Sequence, residues 1–477
     1  AVGMALQHGV RPEAAATVFA GADIQAVAHP SSPAAYDRHK WEYFFRSFRK
    51  RPAQAFKAIV KCRPRMRNFT EIPRRTLSAA GIDPSSCPIH YIEHHVAHAA
   101  SSFFFSGFPD AAFITMDGSG EFTATMLGYY GPDGRIHVLK EICVPDSMGF
   151  FYATMTDYLG FEHDDGEYKV MGMAPYGDPS RFNLDDIVSY RNRSHWVNDD
   201  YIYAVRRKRY DPTKWFSRKM VERFGPPREG DDLNEPYIHI AAATQKKLED
   251  ITVRLMEDYL TEPLQRFGGR LCFSGGCALN VKLNQALIRH PLVSRLWVQP
   301  ASSDAGIPLG AAAMVAHAAG DRIEPMRHAY YGPDYTDEEI ERVFRRSAYR
   351  ISREKSITDA ASRLLHKGQI VAWFQGRMEW GPRALGNRSI LGNPTVRGTA
   401  DRINEIIKFR ENWRPFCPSI LKEYGSEILD TTHDSPFMTF CLMCGIAGEA
   451  GFRKSSTWTG PLGPSLFQKN KTLFIMN

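Results

Sequence analysis

Between residues 270 and 318 a short apolar strand, a glycine-bearing turn and a helix recur twice, and that alternation restricts the chain to α/β folds. The first copy is the strand Arg270–Phe273, the turn Ser274-Gly275-Gly276 and a helix from about Leu279 to Ile288. The second is the strand Ser294–Gln299, the turn Pro300–Gly306 and the alanine-rich helix Ile307–Gly320. Upstream, Ala111–Met116, Thr123–Tyr130 and Arg135–Val144 are β-rich runs broken by Asp117-Gly118-Ser119-Gly120 and Gly131-Pro132-Asp133-Gly134, which predicts an antiparallel meander. Helical spacing marks His94–Ser106, Phe150–Leu159 and Ile238–Phe267, and Pro88–Ile92 reads as a short strand. The pattern breaks near Tyr330–Asp334; the charged helix Asp337–Arg346 then opens a second domain, with the boundary between about 325 and 355. Beyond it lie a strand at Ile370–Phe374 and a polar loop at Gly381–Arg388.

The chain's 477 residues are 43% hydrophobic and 24% charged, enough for a sizeable core and far from a disordered profile. No run reaches the roughly 18 apolar residues of a membrane span, and Ala1-Val2-Gly3-Met4 opens no secretory signal, so a soluble cytoplasmic protein is expected. Eight dispersed cysteines suit reduced thiols; Cys441 and Cys444 form a C-x-x-C without the second pair that structural zinc needs. The net charge of +7 collects in Arg38–Arg75 and Arg206-Arg207-Lys208-Arg209. Such runs are usually solvated faces, and without a reading motif a nucleic-acid partner is disfavoured against phosphorylated small molecules.

The densest chemical cluster is Glu93-His94-His95-Val96-Ala97-His98. Histidines at i and i+4 share a helix face and can hold one cation, although the glutamate a zincin needs after its first histidine is replaced by His95. Partly buried, hydrogen-bonded histidines are the simpler explanation of that motif alone. Asp117 and Asp304 shift the balance. Each ends a β run, and carboxyl ends of strands line the ligand crevice of α/β folds, so His94, His98, Asp117 and Asp304 form a candidate N2O2 site for iron, zinc or manganese. Each aspartate by itself could equally be a turn cap.

Gly118, Ser119 and Gly120 in a tight hairpin, with Gly275 and Gly276 ahead of a helix, would let backbone N–H groups approach a phosphate. That combination is how actin-like and sugar-kinase-like folds surround ATP, an analogy of fold alone. Arginines 377, 383 and 388 stand among glycines in Gly376–Ser389, and Lys408–Phe416 repeats the theme, as guanidinium forks placed for an anion would.

The stretches HHVAHAASSFFFS, MDGSGE, GEYKVMGMAPYG, FSGGCALN, SSDAG, GRMEWGPRALGNRSIL and KFRENWRPFCPS together resemble the carbamoyltransferase family of nodulation protein U, nodulation protein O and antibiotic O-carbamoyltransferases. The match runs in the family's order from His94 to Met438. It implies a large actin-like domain over 1–335, similar to the metal-dependent ATP-binding proteins of tRNA threonylcarbamoylation. A partial YrdC-like α/β domain would span 356–440 and a divergent tail 441–477. The smaller domain would make carbamoyl-adenylate from carbamoyl phosphate and ATP, and the larger would pass the carbamoyl group to an acceptor hydroxyl. By the same resemblance His94, His98, Asp117 and Asp304 are metal ligands, iron foremost. Gly118, Ser119, Gly120, Gly275, Gly276 and Asn280 face a nucleotide, with magnesium as a companion ion. Lys408, Arg414 and Arg383 bind carbamoyl phosphate and the ATP phosphates. The expected partners are nucleotide and a small-molecule or oligosaccharide acceptor, with no membrane and a homo-oligomer left open.

Two departures accompany the resemblance. The small-residue hairpin with which the family begins has no counterpart before His94, and the tail does not read as the smaller domain's continuation. Truncation at both ends is the expectation. Three readings follow: O-carbamoyl transfer to a sugar-containing acceptor such as a nodulation factor, threonylcarbamoyl transfer to tRNA, or a non-catalytic remnant that binds metal or nucleotide.

Overall fold

The computed structural model describes residues 26–48, 56, 70–202, 211, 213–417, 419, 433 and 435–442. The basic run 206–209, Cys62, Cys444 and the tail from 443 lie outside the described residues. The chain divides into two compact units, one ending at Met326 and the other beginning at Arg327.

In the first unit, β1 (Val27–His29) pairs in parallel with β2 (Ile89–Tyr91), with helix α1 (Pro33–Phe48) between them. Helix α2 (His94–Ser106) follows and stops at Gly107, whose left-handed backbone closes the helix. Strands β3 (Ala111–Gly120), β4 (Thr123–Tyr130) and β5 (Ile136–Cys143) form the meander. Helices α3 (Met148–Tyr158) and α4 (Glu167–Met173), the ribbon β6 (Val188–Arg191) and β7 (Ser194–Val197), α5 (Arg218–Phe224) and α6 (Tyr237–Arg266) come next. The repeats close the unit: β8 (Arg270–Ser274), α7 (Val281–Ile288), β9 (Arg295–Val298) and α8 (Ile307–Ala318).

The central sheet has the order β5-β4-β3-β8-β9, antiparallel through β3 and parallel from β3 to β9. Strand β3 explains this mixture. Its run Ala111–Met116 is buried at every position, because both faces of the sheet are covered. Alternation sends Phe113 and Thr115 toward α2 and Met116 toward α6, where Thr252 bonds the Met116 sulfur. Phe113, Phe103 of α2 and Tyr130 of β4 share one core cluster, with the Phe103 and Tyr130 rings stacked at 4.2 Å. Asp117 has the parity of Phe113 and Thr115, so its side chain emerges on the α2 face at the carboxyl end of β3.

One local expectation is corrected. Residues 117–120 are not the turn: β3 runs on through Gly120, and the chain reverses at Glu121-Phe122. The register slips between Met116 and Gly120, so the glycines form an irregularity within the strand rather than the loop their composition predicted. The second unit contains α9 (Asp337–Arg345), opened by a reciprocal Thr336–Glu339 capping box, and α10 (Ile357–His366). An antiparallel pair, β10 (Val371–Phe374) with β11 (Arg388–Leu391), leads to α11 (Thr399–Arg402), which continues as a wider helical turn through Lys408.

Candidate metal centre

Helix α2 places His94 and His98 one turn apart on the face that meets the ends of β3 and β9. Asp117 lies at the end of β3, and Asp304 opens the turn between β9 and α8. The four donor atoms lie within 4.8 Å of one another. His98 Nε2 is 3.0 Å from Asp117 Oδ2 and 3.1 Å from His94 Nε2. His94 Nε2 is 3.6 Å from Asp117 Oδ2 and 3.4 Å from Asp304 Oδ1, and His98 Nε2 is 3.6 Å from Asp304 Oδ1. Tetrahedral ligands at the 2.0–2.1 Å bond lengths of a transition metal stand about 3.4 Å apart, so these separations already bracket a coordination shell. Two imidazoles and two carboxylates also form the mixed donor set that iron, zinc and manganese accept.

The four groups form a tightly coupled cluster of opposite charges. Burial pushes the His94 imidazole down, but hydrogen bonds to Asp117 and Asp304 outweigh it and lift the pKa to about 10. Burial would push Asp117 up, yet the two imidazoles hold it well below the usual carboxylate range, and Asp304 is lowered in the same way. His95 is the contrast. It is wholly buried, and burial together with its two neighbouring imidazoles pushes it well below 6.5. Its Nε2 donates to the Thr123 carbonyl at 2.9 Å and its Nδ1 accepts from the Thr115 hydroxyl at 2.8 Å, so it ties α2 to the sheet.

The glycines around this cluster have steric reasons to be glycine. A Cβ at Gly120 would overlap the His94 ring, and one at Gly276 would lie 2.8 Å from Asp117 Oδ1. Gly118 donates its N–H to Asp117 Oδ1 at 2.7 Å, and the buried Ser147 hydroxyl donates to the Gly118 carbonyl at 2.7 Å while capping α3. Ser119 lies in the same stretch of β3, and Gly275, at φ 96°, turns the chain after β8. Asn280 caps α7 through Leu283 N and exchanges two hydrogen bonds with Gln245.

Sequence reasoning missed Glu121. Its carboxylate accepts from Ser32 N at 2.7 Å and from His94 N at 3.3 Å, fixing the start of α2, and burial raises its pKa to about 7. The signal was its place directly after the glycines in Asp117–Glu121.

The residues expected to bind carbamoyl phosphate, Arg383, Lys408 and Arg414, are all in the second unit. Arg383 is mostly buried, which lowers its pKa to about 10, and the Cys417 thiol lies near enough to be felt. Lys408 is lowered by burial and by the charges of Arg410 and Arg414, so the three cations crowd one region. Arg414 also stands 3.6 Å from the Glu411 carboxylate. Arg377 and Arg388 have another use: Arg377 donates to the Gly332 carbonyl, and Arg388 donates to Gln375 and Gly376 carbonyls while lying 3.5 Å over the Phe374 ring.

Residues 77–313 match the carbamoyltransferase N-terminus family and residues 362–450 the carbamoyltransferase C-terminus family. The chain belongs to the carbamoyltransferase family. It is 36% identical over 357 residues to nodulation protein NolO of Bradyrhizobium diazoefficiens, covering 73% of this chain and 62% of that one. It is 34% identical to nodulation protein NolNO of Sinorhizobium fredii, covering 75% and 51%, and 36% identical to an uncharacterised Synechocystis protein, covering 74% and 58%. This carbamoyltransferase chain thus spans roughly half to three-fifths of the length of those relatives. The crystal structure of T. kodakarensis HypF aligns with 52% of this chain and 38% of its own, at 15% identity and a TM-score of 0.27, too low to support an argument about fold. Among the described residues no helix is long and apolar enough to cross a membrane.

Proposed function

We propose that this carbamoyltransferase makes carbamoyl-adenylate from carbamoyl phosphate and ATP and transfers the carbamoyl group to a hydroxyl of a sugar-containing acceptor. The nodulation proteins among its relatives make a nodulation-factor oligosaccharide the first acceptor to try. The observation that carries this reading is the convergence of His94, His98, Asp117 and Asp304 in a chain of this family. In this proposal the first unit is an actin-like ATP-binding domain and the second a partial YrdC-like domain.

The four side chains would hold a divalent transition metal, iron first and zinc or manganese next, which supplies a Lewis acid for the carbamoyl oxygen. Asp117 and Asp304 lend the pocket the negative charge that retains such an ion, and Glu121 and His95 keep α2 in register with β3. Gly118, Ser119, Gly120, Gly275, Gly276 and Asn280 would face the nucleotide, with magnesium on its phosphates. Arg383, Lys408 and Arg414 would bind carbamoyl phosphate and offset the charge that develops as the adenylate forms. Carbamoyl phosphate would first lose its phosphate to water, and the resulting carbamate oxygen would bond to the α-phosphorus of ATP as pyrophosphate leaves; transfer then breaks the bond between the carbamoyl carbon and the adenylate oxygen as the acceptor oxygen bonds to that carbon, and AMP and the hydroxyl proton are released.

The test is incubation of the purified chain with carbon-labelled carbamoyl phosphate, ATP and chitooligosaccharide. Label on the sugar, dependent on ATP, is the expected result. A parallel incubation replaces the sugar with tRNA and threonine; label on the tRNA and not the sugar, or no ATP-dependent turnover in either, would overturn it.

A further inference from the structure

Strand β3 leaves its ladders just where the metal-facing stretch begins. Met116 faces Thr125 and Gly120 faces Thr123 on β4, and the pairing with β8 ends at Thr115 and Ser274, so in neither ladder do Asp117, Gly118 and Ser119 have a described partner. Backbone groups that lose a ladder inside a fold must be satisfied elsewhere. Gly118 is satisfied on both sides: its N–H donates to Asp117 Oδ1 at 2.7 Å, and its carbonyl accepts from the Ser147 hydroxyl at 2.7 Å, with the Asp117 carbonyl 3.2 Å from the same hydroxyl. Ser147 is fully buried, and its oxygen also accepts from Phe150 N at 3.0 Å as the N-cap of α3. Gly149 permits this closeness, since a Cβ there would lie 2.6 Å from the Asp117 carbonyl and from the Gly118 nitrogen. The contacts run in series. Ser147 holds the Gly118 carbonyl, the Gly118 N–H holds Asp117 Oδ1, and Asp117 Oδ2 stands 3.0 Å from His98 Nε2 and 3.6 Å from His94 Nε2.

We propose that Ser147 is a positioning residue for the metal centre: its hydroxyl fixes the Asp117–Gly118 backbone and, through the Gly118 N–H, the direction in which the Asp117 carboxylate points. Groups that orient a ligating carboxylate in this way are worth about 10–100-fold in metal affinity. The inference rests on the reading of His94, His98, Asp117 and Asp304 as metal ligands, and its experiment separates the two. Because Ser147 also caps α3, stability alone does not distinguish positioning from capping. The metal affinity of the folded protein does, since loss of the cap by itself lowers the melting temperature without turning the carboxylate.

The full chain and its Ser147→Ala and Ser147→Thr variants are stripped of metal and titrated with zinc(II) against a chromophoric chelator, well below their melting temperatures. Far-ultraviolet circular dichroism and thermal melts establish folding. Amide hydrogen exchange of the metal-free proteins, read by mass spectrometry on peptides covering Asp117–Gly120, reports the clamp without any metal. Ser147→Ala should bind zinc at least about tenfold more weakly than the wild type and exchange these amides faster. Ser147→Thr keeps a hydroxyl for both carbonyl and cap, so its affinity and exchange should stay close to those of the wild type. If folded Ser147→Ala binds zinc as tightly as the wild type, the positioning role is wrong. It is equally wrong if Ser147→Thr shows wild-type exchange and yet binds as weakly as the alanine variant, because the hydroxyl is then not what acts. If the wild type itself binds no zinc, the metal reading of the four side chains fails. The hold of Ser147 on the Asp117 stretch is then decided by exchange: faster in Ser147→Ala but not in Ser147→Thr upholds it, and equal rates in all three proteins end it.

Discussion

His94 and His98 share two carboxylates, and without a metal between the four groups the His94 imidazole holds a proton up to about pH 10. The His94 pKa of about 10 against an ordinary 6.5 means that the folded chain binds this proton more tightly than the unfolded chain does. The resulting stability is fully present below about pH 6.5 and is lost as pH rises through about 10. A bound metal replaces that proton, so the loss should not occur when the site is loaded. The melting temperature of chelator-treated protein should therefore fall between those two pH values while that of metal-saturated protein stays level, and parallel curves would contradict proton–metal exchange at His94. For the same reason metal affinity should tighten with pH, with a slope of about one proton per metal, measurable by competition with a chelator. His98→Ala removes a donor that touches Asp117 and His94, and it should leave the purified protein without stoichiometric metal. Metal analysis of the variant, paired with a melt to establish folding, checks this.

Helix α8 lies directly on helix α2, the element that carries those imidazoles. Gly310 of α8 packs against the backbone of α2, where a Cβ would overlap the Ala97 carbonyl and lie 2.6 Å from Ser101 N. Ala97 stands between His94 and His98 in sequence, so Gly310→Ala should push the helices apart, costing about 1–3 kcal/mol in denaturant unfolding, and should lower metal occupancy if the proposed site is right. Unchanged stability would mean that α8 can shift without carrying α2. Much of this layer could be read from the sequence. Helix α2, the three-strand meander and the paired strand–turn–helix repeats announce themselves by apolar runs and by the turn residues that separate them. Strands β1 and β2 are three residues each, too short for a period, and their parallel pairing joins residues about sixty positions apart, so β1 went unread. The same limit hid the uses of charged side chains. Arg377 and Arg388 act through backbone carbonyls brought near by folding, and nothing in their own sequence distinguishes them from guanidinium groups that meet an anion, whereas Glu121 was marked only by its place after the glycines. The strand-like course of Gly118–Gly120 was hidden differently, since glycine composition signals a turn whether or not the ladder continues through it.

At the scale of the whole molecule, the four converging donors lie entirely in the first unit and the crowded cations Lys408, Arg410 and Arg414 entirely in the second. If the proposed chemistry is divided in the same way, damage to one place should spare the partial reaction of the other. His98→Ala should reduce carbamoyl transfer to background while ATP-dependent adenylate formation persists. Arg414→Ala should do the opposite: loss of one charge-assisted contact to phosphate should raise the carbamoyl phosphate concentration needed for adenylate formation by at least about tenfold. Transfer from adenylate supplied ready-made should then continue at close to the wild-type rate. The two variants, assayed for pyrophosphate release and for labelled product, form a crossed pair whose diagonal losses support a division of labour. Loss of both partial reactions in both variants, with folding intact, would instead place adenylation and transfer at a single shared site.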